Sequence, residues 1–148
     1  MSVMNPDQGM YLIFRLQGSL FALDLSQVAE VADMSQMWPI PQAPPCFVGA
    51  LNIHGDIVAA MDLALFLGLE GSHQAEKIII LNQAVASLAF VVDSVVKIVS
   101  GGDAAFLVDP PPRNAFATAT LALTGGTALL LDLDSLVRNA EIVMQKKV

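Results

Sequence analysis

One pattern recurs four times along the chain: a short apolar strand, an aspartate near its end, then apolar residues at helical spacing. The segments are FALDLSQVAEV (21–31), VAAMDLALFLG (58–68), AFVVDSVVKIV (89–99) and LLLDLDSLVR from Leu129 onward. Asp24 and Asp93 lie 69 residues apart, and Asp62 and Asp132 lie 70 apart. Two nearly equal offsets suggest a half-chain unit used twice, which would fold as two small β-barrels side by side. The competing explanation is that aspartate favours strand-to-helix junctions, where its carboxylate caps free backbone N–H groups. Both readings fit the spacing. Either way, 148 residues suffice for one domain or two small subdomains sharing a core.

The remaining local signals point to a mainly β chain. Apolar runs at 10–16 and 20–25 flank Gln17-Gly18-Ser19, a hairpin. A second hairpin joins 77–82 to 87–92, and a third joins 119–123 to 128–132 across Thr124-Gly125-Gly126-Thr127. Between them, Pro39, Pro41, Pro44 and Pro45 fix φ and remove backbone donors. A stiff extended loop should therefore lead into a strand, a tight turn at Asn52-Ile53-His54-Gly55, a strand at 56–61 and a short helix capped by Asp62. Residues 101–116 carry a Gly pair and three consecutive prolines, and read as a long loop. Leu133, Leu136, Val137, Ala140 and Val143 recur at helical spacing, giving a C-terminal helix over about 134–144. The expected architecture is two SH3-like β-barrel subdomains, roughly 10–72 and 73–132, packed on a shared apolar seam with strand or helix exchange.

Charge and motif content narrow the function. Fourteen acidic residues against seven basic ones give a net charge of −7, which repels nucleic acid and anionic membrane surfaces. No apolar run reaches the roughly 18–20 residues of a membrane span, and MSVMNPDQGM lacks the features of a secretory signal. A cytoplasmic protein is expected. Cys46 is the sole cysteine, so neither an intrachain disulfide nor a thiolate cluster can form. His54 and His73 lack metal-ligand spacing, and no nucleophile elbow, P-loop or dinucleotide fingerprint is present. Asp132-Leu133-Asp134 reads as a strand end and helix cap rather than a Mg²⁺ site, and Cys46 as a small buried apolar residue. The chain is expected to be no enzyme and to carry no cofactor or metal. Met34, Met37, Trp38, Ile40 and Phe47 are large apolar residues in a turn-rich loop. They either cover a barrel end or form a partner face, since Met and aromatic surface is adaptable.

FVGALNIHGDIVAAMDL (47–63) closely resembles the GxxNLRGxIxPVxDL core of the chemotaxis coupling protein CheW family. YLIFRLQGSLFALDLSQVAEV (11–31) is similar to that family's opening hairpin and short helix. LAFVVDSVVKIV (88–99) is similar to its central strand, and LLLDLDSLV (129–137) to its closing strand and helix. The resemblance implies a non-enzymatic adaptor linking the signalling tip of methyl-accepting chemoreceptors to the regulatory domain of a CheA-type histidine kinase. It implies receptor contacts at Val28, Glu30, Gly49, His54 and Lys77, and a kinase contact at Asp109, Pro110 and Phe116. His54 stands where the family carries Arg, and that Arg pairs with the glutamate that Glu30 matches; His54 is expected within salt-bridge reach of Glu30. The alternatives are a CheW-like adaptor of a non-chemotaxis array and a small-ligand-binding barrel. Paired barrels also leave room for a weak homodimer, with no nucleic acid and no membrane insertion.

Overall fold

Two tight turns carry the backbone through positive φ at both central residues, at Gln17-Gly18 (+50°, +86°) and His54-Gly55 (+53°, +92°). That geometry matches the right-handed twist of the flanking strands and closes them as two-residue hairpins. The computed structural model describes residues 9–69, 75–103, 105–107 and 116–145. In chain order these form β1 (Met10–Leu16), β2 (Ser19–Asp24), a 3-10 turn (Leu25–Gln27), β3 (Val28–Asp33), β4 (Phe47–Ile53), β5 (Asp56–Asp62) and α1 (Leu63–Phe66). The second half holds β6 (Lys77–Leu81), β7 (Leu88–Val92), β8 (Ser94–Ser100), β9 (Ala105–Leu107), β10 (Ala117–Leu123), β11 (Gly126–Leu131) and α2 (Leu133–Gln145).

The strands make two sheets, ordered β8-β1-β2-β11-β10-β9 and β3-β6-β7-β5-β4. Exchanging β1, β2, β3, β4 and β5 with β6, β7, β8, β10 and β11, respectively, turns the second order into the first five strands of the other. Irregularities repeat as well. A bulge between Phe47 and Gly49 on β4 recurs 70 residues later between Ala117 and Ala119 on β10. A bulge at Val28/Glu30, facing Leu81/Ile80, recurs 67 residues later at Val95/Lys97, facing Phe14/Ile13. Coincidence of aspartates does not produce matching bulges. The chain is built from a duplicated unit.

Two expectations are corrected in detail. Asp62 and Asp132 are equivalent, but Asp24 and Asp93 are two residues out of step. Phe21 pairs with Leu129 in one sheet and Leu88 with Ala59 in the other, so the counterpart of Asp24 is Val91. The two carboxylates have different work: Asp24 accepts from Ser26 N at 3.0 Å, whereas Asp93 accepts from Gln17 N at 2.7 Å across the hairpin mouth. The division near residue 72 was expected with strand or helix exchange, and in the sheets β6 and β7 join β3, β4 and β5 while β1 and β2 join β8 to β11. Each opening hairpin therefore completes the other half's sheet. Finally, 28–33 is a strand rather than the end of a helix, with half-buried and exposed positions alternating along VAEVAD.

Side chains fill three cores. Leu51, Val58, Ala60, Ile78, Ile80 and Ala89 pack inside the second sheet. Their counterparts Leu121, Ala128, Tyr11, Ile13 and Ala22, with Leu130 beside them, pack inside the first. The third and largest core is the seam, where Leu12, Phe14, Phe21 and Leu23 of one sheet meet Ile79, Leu81, Phe90 and Val92 of the other. Phe14 and Phe90 are fully buried there, and truncating either to alanine costs about 3–5 kcal/mol. Helices start where capping carboxylates permit. Asp62 Oδ1 accepts from Leu65 N at 3.2 Å to begin α1, and Asp132 Oδ1 from Ser135 N at 3.3 Å to begin α2.

Candidate functional site

The strand bulge at 28–30 decides how the first candidate residues are presented. Val28 stands opposite Leu81, on the seam face, while Glu30 stands opposite Ile80, on the face that lines the second sheet's own core. Val28 is half-buried against the seam. Glu30 keeps its side chain 40% exposed at the margin of β3, one of the two edge strands of this sheet. The two residues are neighbours on one strand but do not share a face.

His54 reaches Glu30 from the tip of the β4–β5 hairpin. Its left-handed φ is one that histidine tolerates better than most side chains. Asn52 Oδ1 accepts from Gly55 N at 2.9 Å and pins the turn. The His54 side chain, 80% exposed, then places Nε2 2.8 Å from Glu30 Oε1. The contact ties the hairpin tip to the edge strand. An Nε2–H donated to the ionised carboxylate is a charge-assisted hydrogen bond.

Gly49 lies buried rather than at the surface. A Cβ built there would sit 2.8 Å from Met37 Cβ and 3.0 Å from the Trp38 carbonyl oxygen. Absence of a side chain lets the 37–38 segment close on β4, where Trp38 and Ala50 exchange two backbone hydrogen bonds of 3.0 and 2.7 Å. Of the loop's large apolar residues, Met37 packs against the inner core and Phe47 is buried in the seam, while Met34 and Trp38 are exposed. The loop thus covers a barrel and offers surface at once.

Lys77 opens β6 opposite Asp33, and its Nζ hydrogen-bonds Asp33 Oδ1. That bond, and then the lysine's charge, holds the Asp33 carboxyl below its ordinary value. Val31, opposite Ile79, shares the face of Val28 and is exposed. Sequence reasoning passed over it because 28–31 was read as the end of a short helix, and plain strand alternation would have put it opposite Val28; the bulge at 28–30 brings the two together.

Asp109 and Pro110 lie outside the described residues. Phe116 is half-buried, packs on the seam and meets Phe66 in a tilted ring pair with centroids 5.4 Å apart. Cys46 is buried, and burial pushes its thiol up, away from the reactive thiolate. Among the described residues no group of three or more His, Cys, Asp or Glu side chains could hold a metal ion, and no helix is long and apolar enough to cross a membrane. The arrangement offers shaped, mixed apolar and ionic surface for contact.

Comparison with known proteins agrees with this geometry. Residues 10–141 match the model of the CheW-like domain family. The chain is 25% identical over 138 residues to the chemotaxis protein CheW of Rhizobium meliloti, covering 88% of each chain. It is 23% identical over 146 residues to a probable chemotaxis protein CheW of Rhizobium etli, covering 93% of each. Its fold is similar to that in the crystal structure of the scaffolding protein TtCheW from Thermoanaerobacter tengcongensis, with a TM-score of 0.72 and 20% identity over 84% of this chain and 88% of that one.

Proposed function

The chain belongs to the CheW-like domain family, and from that premise we propose that it is a cytoplasmic, non-enzymatic adaptor coupling chemoreceptors to a CheA-type histidine kinase. The observation that carries the reading is the family match across 10–141, joined to a fold with two barrels and a shared seam. One protein can bridge two partners if each barrel presents its own surface. On this reading the receptor tip meets Val28 and the Glu30–His54 contact, with Gly49 seating the loop beside them and Lys77 at the far end of the same edge. The kinase's regulatory domain meets the region of Asp109, Pro110 and Phe116.

Such a division supports a simple experiment. Binding is measured separately to a receptor signalling fragment and to the regulatory domain of a kinase from the same cell. His54→Ala should weaken the first and spare the second; Pro110→Glu should do the reverse. If both variants weaken the same partner, the proposed division of surfaces is wrong. If the parent chain binds neither partner, the adaptor reading itself fails.

A further inference from the structure

The duplicated fold contains its own control, because each surface of one sheet has a counterpart on the other. Ala50 pairs with Ala59 across β4 and β5, and Ala59 lies beside Leu88 of β7. The counterparts of Ala50 and Ala59 are Thr120 and Leu129, which pair in the same way, with Leu129 lying beside Phe21. One sheet therefore places a leucine and a phenylalanine where the other places an alanine and a leucine. The missing volume appears as an open apolar groove of about 250 Å³, floored by Ala59 and Leu88 and walled by Val137, Ala140 and Met144 of α2.

Beyond the groove's lining, the same sheet face carries further apolar surface. Trp38 stands opposite Ala50, and Ile57 lies two residues from Ala59. Both are exposed, Ile57 at 66% and Trp38 at 51%. The residue equivalent to Ile57 is Thr127, so the apolar choice belongs to this half alone. At about 250 Å³ the concavity falls below the roughly 300–1,000 Å³ of small-molecule pockets, and it accepts inserted side chains rather than a cofactor.

We propose that this face is a second docking surface, and that it takes an amphipathic helix of a partner protein whose apolar side chains are flanked by basic residues. The backbone argues for a helix. Trp38 already takes the N–H and C=O of Ala50, so an added strand cannot pair at that point of the β4 edge, whereas α2 shows that a helix packs on this face. Charge argues for the basic flank. Glu141 lies on the groove wall without an ion-pair partner among the described residues, and Asp56 adjoins Ile57. With a net charge of −7 a second copy of this chain, or an anionic membrane, is electrostatically disfavoured.

Trp38 is the chain's single tryptophan and reports on the face that carries the groove. Two synthetic amphipathic helical peptides sharing one Leu/Phe face serve as probes, one with lysines and one with glutamates bordering that face. The lysine peptide should shift Trp38 emission saturably to shorter wavelength, and the glutamate peptide should bind at least about tenfold more weakly. Ala59→Leu, which copies Leu129, should weaken the lysine peptide by at least about tenfold, the signature of a filled groove. Ala50→Thr, which copies Thr120, gives a second test should Ala59→Leu not fold. Glu141→Lys should invert the preference between peptides. The proposal is overturned by the absence of a saturable shift, by equal binding of both peptides, or by unchanged binding to a folded groove variant. A shift produced by raising the protein concentration alone would assign the surface to a second copy and overturn it as well. Neither receptor nor kinase enters the assay, so its outcome is independent of the adaptor reading.

Discussion

Gly49→Ala should destabilise the fold through one identifiable clash. The added methyl would meet Met37 Cβ at 2.8 Å and the Trp38 carbonyl oxygen at 3.0 Å. Neither is the free end of a flexible side chain, so the 37–38 segment must retreat from β4. Retreat strains the two backbone bonds between Trp38 and Ala50, each worth about 0.5–1.5 kcal/mol net. It also loosens Met37 from the inner core. Overpacking of this kind costs about 1–3 kcal/mol, which lowers the melting temperature by roughly 2–4 °C per kcal/mol for a chain of this size. Urea unfolding followed by Trp38 fluorescence would measure it. Met37→Ala retains the clashing Cβ and should not rescue the variant; Met37→Gly removes that atom and should recover part of the loss. Destabilisation below about 0.5 kcal/mol, within the range of unremarkable surface changes, would refute the reasoning. Lost receptor binding at unchanged stability would instead make Gly49 a direct contact.

Val28→Glu should weaken receptor binding at least about tenfold by setting a second carboxylate beside an apolar partner, with the far-UV circular dichroism spectrum unchanged; full binding would remove Val28 from the receptor surface. His54→Arg should tighten receptor binding, because a guanidinium can engage the Glu30 carboxylate with two parallel hydrogen bonds; unchanged binding would make the Glu30 contact irrelevant to the receptor. The Asp33 carboxyl is held below its ordinary value by Lys77, so its contribution is present above the unfolded carboxylate value of about 3.9 and is lost as pH falls through the lower folded one. Acid titration of Lys77→Met should therefore show a smaller loss of stability in that window than the parent, and identical titrations would mean the exposed pair is thermodynamically silent.

Much of the architecture was legible because local chemistry is written into short segments. Turn residues marked the hairpins, and the 70-residue spacing of Asp62 and Asp132 announced a true structural equivalence. The 69-residue spacing of Asp24 and Asp93 misled, since a capping carboxylate and one that receives a hairpin amide fell near the same register by chance. Exchange between the halves was expected, but which strands cross leaves no trace in periodicity, because a strand's pattern says which face is buried but not which sheet accepts it. Residues 28–33 mix alanine and glutamate with valine and sit after a short 3-10 turn, so helix and strand were closely matched until pairing with β6 decided. The Glu30–His54 contact was expected from residue type and resemblance, and the hairpin tip delivers it. The groove beside α2 was invisible to motif reasoning. It is a difference in side-chain volume between two equivalent surfaces, and that comparison needs the register.

Bridging is tested most directly by sedimenting all three components together. A membrane-bound receptor signalling fragment, the kinase's regulatory domain and this chain are mixed, and pelleted kinase domain is measured against added chain. The account predicts that the kinase domain pellets in proportion to the chain until receptor sites saturate, and that Val28→Glu abolishes the effect. Kinase pelleting that is indifferent to the chain, or a chain that pellets while leaving the kinase domain in solution, would contradict it.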